Sequence, residues 1–105
     1  MTNDELRAVL ARWAGWIYPG SSCLIYESWD RWIPPKGEKG RKVPNFPKSL
    51  DAVATLEARL THEQRMHYFG ELATVTLNSG VYRPEITATA EQRCRALVAA
   101  LKLTL

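Results

Sequence analysis

Three threonines in this chain are each followed, three residues later, by a glutamate or a glutamine: Thr2 with Glu5, Thr61 with Gln64 and Thr89 with Gln92. In such a pair the threonine hydroxyl accepts from the backbone N–H three residues on. The longer side chain accepts from the threonine's own N–H, so two orphan donors of a first helical turn are satisfied together. Three helix starts are thereby set before any hydrophobic pattern is considered. Helical apolar spacing follows each of them. Leu6, Val9, Leu10, Trp13 and Ile17 predict a helix from Thr2 to about Trp16, punctuated by Pro19-Gly20. Met66, Phe69, Ala73 and Leu77, with Tyr68, Leu72 and Val75 alongside, predict a helix from Thr61 to about Leu77, ended by Asn78-Ser79-Gly80. Ala90, Cys94, Leu97, Val98 and Leu101 predict a last helix to about Lys102. Ser49 is a fourth N-cap, with Asp51 favourable near the positive helix end. Leu50, Val53, Leu56 and Leu60 give its stripe.

Between these helices lie three strand candidates. Cys23-Leu24-Ile25-Tyr26 is a short apolar run between turn signals, and Cys23–Glu27 reads as a buried strand. Trp29–Ile33 reads either as a second strand or as an ordered loop, and Val81–Arg83 either as a short strand or as an extended connection. The expected fold is therefore α+β and mostly helical, with about four helices around a small two- or three-stranded sheet. At 105 residues the chain suits one domain, residues 1–105. Its 46% hydrophobic and 24% charged residues are those of a folded chain rather than a disordered one.

The net charge of +3 is unevenly placed. Lys36, Lys39, Arg41, Lys42 and Lys48 face Glu38 alone between Pro34 and Lys48, so this segment carries +4 and the rest of the chain −1. It also holds Pro34, Pro35, Pro44 and Pro47, which make it a long irregular loop, and loops of that length tend to be functional or disordered. No stretch approaches the run of about 18 apolar residues that a membrane helix needs. The polar, acidic start Met1-Thr2-Asn3-Asp4-Glu5 is unlike a signal peptide, so the expected compartment is the cytoplasm. Cys23 and Cys94 form no C-x-x-C pair and read as two reduced thiols, Cys94 on the apolar face of the last helix.

Catalytic and metal motifs are tested by spacing. His62-Glu63-Gln64-Arg65-Met66-His67 is one residue too long for a zinc protease helix. Histidines five apart stand about 140° apart around a helix, against about 40° for the four-residue spacing that shares a metal. They read as surface histidines. Gly37-Glu38-Lys39-Gly40-Arg41-Lys42 has the glycine and charge of a phosphate loop but not its Lys-Ser/Thr ending. No serine sits in G-x-S-x-G, and neither cysteine has the setting of a nucleophile. The chain reads as a non-enzyme with no metal site and no cofactor. Its candidate ligand-binding residues are Lys36, Lys39, Arg41 and Lys42 for phosphates, with Trp29 or Trp32 stacking a base. The plain alternatives are a solvated loop and tryptophans in the core or an oligomer interface. Arg93 and Arg95 read as a solvated helix face, with Arg95 paired to Glu91.

Ala88-Thr89-Ala90-Glu91-Gln92-Arg93-Cys94-Arg95-Ala96-Leu97 resembles the C-terminal helix of small phage and prophage proteins, the phage ABA sandwich domain family. Gly15-Trp16 resembles that family's Gly-Trp near the end of a first helix, and Trp32-Ile33-Pro34 its Trp-x-Pro before a variable loop. Pro44-Asn45-Phe46-Pro47 and Ser49-Leu50-Asp51-Ala52 are similar to its Pro-x-aromatic entry into a helix. Many members have two strands where this chain reads as the Thr61–Leu77 helix, which implies a smaller sheet. The resemblance implies a phage or prophage source, hence the host cytoplasm, and a role acting on the host, including its defences. The expected function is that of an accessory protein binding an anionic partner, in its sharpest form sequestering a nucleotide or cyclic-nucleotide signal of host defence. The alternatives are a protein–protein inhibitor or adaptor acting on a host protein through an aromatic patch around Trp29 and Trp32, and nucleic-acid binding. No membrane partner is expected, and a homo-oligomer is compatible with the sequence.

Overall fold

A computed structural model of the chain describes residues 1–18, 29–36, 42–76 and 88–104. Among those residues it contains four helices: α1 (Asn3–Trp13), α2 (Leu50–Glu57), α3 (His62–Thr76) and α4 (Ala90–Ala100). Two single 3₁₀ turns, Trp29–Arg31 and Phe46–Lys48, complete the regular structure of the described residues. The expected α+β fold is corrected here. Among the described residues there is no strand, and their regular structure is helical. The Cys23–Glu27 and Val81–Arg83 candidates lie outside the described residues.

The third candidate, Trp29–Ile33, is a 3₁₀ turn followed by one antiparallel bridge between Ile17 and Ile33. The physical reason is the spacing of the two indoles. A strand would send residues 29 and 32 to opposite faces. A 3₁₀ turn eclipses i and i+3, so both indoles fall on one side and both are buried.

Each N-terminal expectation is met by a bond. Thr2 Oγ1 accepts from Glu5 N at 3.2 Å, and Thr2 N donates to Glu5 Oε1 at 2.9 Å. The Thr61–Gln64 and Thr89–Gln92 pairs close in the same way. Ser49 Oγ accepts from Ala52 N at 3.2 Å. The helices then bury one face each against α4, which packs on α3, on α1, on α2 and on the Phe46 turn. Leu6 and Leu10 of α1, Val53 and Leu56 of α2, Leu72 of α3, and Cys94 and Leu97 of α4 meet in a single core.

Helix α1 stops at Gly15 rather than at Pro19-Gly20. Gly15 N donates to Arg12 O at 3.1 Å and Trp16 N to Ala11 O at 2.9 Å, the paired bonds of a Schellman stop. Gly15 has φ +100°, and a Cβ on it would come within 3.0 Å of Pro35 Cβ. Glycine is therefore required twice over, by the backbone conformation and by the close approach of the Pro35 segment. Gly15→Ala is expected to cost about 2 kcal/mol of unfolding free energy, measured by urea titration. The same stop closes α4, where Lys102 N donates to Ala99 O and Leu103 N to Val98 O. There the left-handed position, φ 55°, is held by a lysine.

Candidate functional site

The tryptophans expected to stack a ligand are core residues. Trp29 is 7% exposed and Trp32 is 2% exposed. Their rings stack on each other with centroids 5.9 Å apart and planes 18° apart. The outer faces are also taken. The Arg7 guanidinium lies 4.1 Å over Trp29, Arg12 lies 5.9 Å over Trp32, and Tyr18 tilts onto Trp32 at 5.5 Å. The protein supplies its own cations and aromatic neighbour to these faces, so a base has no open indole there. Arg7 is itself buried. It donates to the Val43 carbonyl, and the removal of its charge from water pulls its pKa down. Its Nε and the Trp32 Nε1 are buried without a hydrogen-bond partner, a cost carried by this layer.

Lys36 and Lys42 are exposed, whereas Lys39 and Arg41 lie outside the described residues. Lys36 lines a cleft of about 260 Å³ together with Trp16, Pro35, Phe46, Thr55 and Arg59. The Gly15 stop builds one wall, because it turns the chain from α1 into Trp16 and lets Pro35 approach. The Phe46 turn and the end of α2 bring the others. Arg59 is the cation that sequence reasoning missed. Its Nη1 donates to Ala14 O at 2.6 Å, the carbonyl at the negative end of α1, which holds the side chain in place at the cleft wall. Its only signal in the sequence was a basic residue just after a predicted helix. The arrangement can hold one or two anionic oxygens between an ammonium and a guanidinium, beside apolar walls.

A second polar cluster joins three helices. Glu57 Oε2 accepts from Arg93 Nη1 at 3.0 Å and from the Tyr68 hydroxyl at 2.5 Å. Arg93 also donates to Ala88 O at 3.1 Å. Arg93, expected on a solvated face, is thus a half-buried strut from α4 to α2. Burial, together with the bond to Glu57, holds the Tyr68 phenol well above its ordinary range. A phenol held neutral in this way is a poor base, and the cluster reads as support rather than chemistry. Arg95 does pair with Glu91, at 3.0 Å, as the four-residue spacing predicts.

His62 and His67 are exposed on α3, and no group of metal-ligating side chains forms among the described residues. Cys94 is a free, buried thiol whose pKa burial pushes up to about 12. The large apolar side chains that reach solvent from α3 are Met66, 64% exposed, and Phe69, 45% exposed. No helix among the described residues is long and apolar enough to cross a membrane.

Comparison with known proteins leaves the chain by itself: no protein-family model, no curated protein and no solved structure matches it.

Proposed function

We propose that this protein is a non-enzymatic binding module for a small phosphate-bearing anion, held in the cleft between Lys36 and Arg59. The observation that carries this reading is the convergence of those two cations, from segments far apart in sequence, on one cleft beside buried Trp16 and Phe46. The remaining loop cations stand next in sequence to Lys36 and extend the positive field in which an anion would be drawn to the cleft. At about 260 Å³ the cleft is smaller than usual drug-sized sites, so it suits one phosphate end of a nucleotide rather than a whole cyclic dinucleotide. The broader role proposed with it is that of a phage accessory protein that withholds a nucleotide-type signal of host defence. That role rests on the sequence resemblance alone.

Thermal-shift measurements with pyrophosphate, nucleoside mono- and diphosphates and cyclic dinucleotides test the reading. A ligand present at about 100 times its Kd is expected to stabilise the fold by about 2.7 kcal/mol. Lys36→Glu and Arg59→Gln are each expected to remove the shift. Absence of a shift with every anion sinks the proposal.

A protein partner is the second reading. The expected surface around Trp29 and Trp32 is buried, and Met66 and Phe69 on α3 are the observation that favours an apolar contact instead. Charge reversal at Lys36 distinguishes the two, since it leaves such a contact unchanged.

A further inference from the structure

The C-terminal end of α4 holds a second cleft, of about 400 Å³, apart from the first. Its lining is apolar from Leu6, Val98, Ala99 and Leu103, and cationic from Arg95 and Lys102. Its volume lies within the range of small-molecule sites, and its lining matches theirs: mostly apolar, with few polar groups.

Two observations indicate what it takes. The first is Lys102 itself. The stop of α4 needs a residue at φ 55°, a conformation in which every side chain is penalised and glycine is not. The helix end therefore does not explain the lysine, and a side chain kept at a strained position points to use of that side chain. Among the described residues no carboxylate lies within ion-pair distance of its ammonium. The second is the charge count at the cleft. Arg95 is already paired with Glu91 at 3.0 Å and donates to Met1 O at 3.0 Å. Two cationic side chains against one carboxylate leave net positive charge beside an apolar surface. The complement of that surface is an anionic head on an apolar chain.

We infer that this cleft binds an anionic amphiphile, such as a medium-chain carboxylate. Its hydrocarbon chain lies on Leu6, Val98 and Leu103, and its carboxylate pairs with the Lys102 ammonium. The inference does not rest on the Lys36–Arg59 cleft, and the two are separable by experiment.

The test is calorimetric titration of the full chain with hexanoate, octanoate and decanoate below their micelle concentrations. Saturable binding is expected, tightening about fourfold per added methylene until the cleft is full. Decylammonium, with the same chain and the opposite charge, is expected to bind about tenfold more weakly than decanoate. Lys102→Gly is expected to raise the melting temperature while losing decanoate affinity, a pairing that a lysine with only a structural role would not give. Ala99→Trp fills the cleft, keeps every charge and is expected to abolish binding. The Lys36→Glu, Arg59→Gln double variant is expected to bind decanoate unchanged. No saturable binding, affinity independent of chain length, equal binding of decylammonium, or full affinity in Lys102→Gly would each overturn the inference.

Discussion

Leu97→Ala is expected to lower the unfolding free energy by about 3–4 kcal/mol in a urea titration, the upper part of the range for a buried leucine. Leu97 is fully buried on α4, the helix that touches α1, α2, α3 and the Phe46 turn. Its immediate neighbour Ala96 and Cys94 one turn back are also fully buried and small. Little around the site can move in to fill the vacated volume, so the cavity persists and its cost adds to the lost transfer energy. Leu50→Ala is the matched control. Leu50 opens α2 and is exposed, so the same change is expected to stay within about 0.5 kcal/mol. Equal losses at the two positions would mean that α4 is not the centre of the core. Against a typical total of about 5–15 kcal/mol, the Leu97 loss is enough to populate the unfolded chain measurably.

The second large effect is expected at Glu57. Glu57→Ala removes one carboxylate and strips two partners at once, the Arg93 guanidinium and the Tyr68 hydroxyl. A cost of about 3 kcal/mol is expected, since a half-buried guanidinium loses its counter-charge. Tyr68→Phe removes the hydroxyl and leaves the ion pair, and is expected to cost about 1 kcal/mol. The same cluster sets an alkaline limit. Tyr68 has a raised folded-state pKa, so its contribution is fully present below pH 10 and is lost as pH rises beyond it. Buried Cys94 behaves alike: its contribution holds below pH 9 and is lost from there towards pH 12. Above those values the unfolded chain has released protons that the folded chain still holds, so stability falls with pH. Tyr68→Phe is expected to flatten the upper part of that fall. An unchanged alkaline profile would mean that the phenol ionises as freely folded as unfolded.

The helix starts were legible because a capping box is local: hydroxyl, backbone and partner lie within four residues. The Glu91–Arg95 pair was legible for the same reason. What failed was the choice of face and of partner. On α3 the spacing marks Met66, Phe69 and Ala73 as the apolar face with Tyr68, Leu72 and Val75 alongside; Tyr68 and Leu72 are buried, whereas Met66, Phe69 and Ala73 face solvent. Both sets repeat at helical spacing, and periodicity cannot choose between two apolar stripes on one helix. Asp30 and Arg31 between Trp29 and Trp32 leave both a ligand-stacking and a core reading open, and the structure buries both indoles. The cover that buries them comes from α1, as Arg7 and Arg12, more than fifteen residues upstream. Arg59 and Glu57 acquire their roles only through Ala14 and Arg93, which have no fixed spacing from them. The reading of Lys36 as an anion contact is compatible with its place in the cleft. The tryptophans assigned to the same ligand belong to another layer.

The concentration of all four tryptophans between residues 13 and 32 has a spectroscopic consequence. Intrinsic fluorescence from this protein reports on α1 and the residues that follow it, where Trp16, Trp29 and Trp32 are buried. Helix α3 contributes Tyr68 but no indole. Loosening of α3 would therefore pass unseen in tryptophan emission while circular dichroism recorded it. A gap between the two signals during unfolding would mark α3 as the element that lets go first.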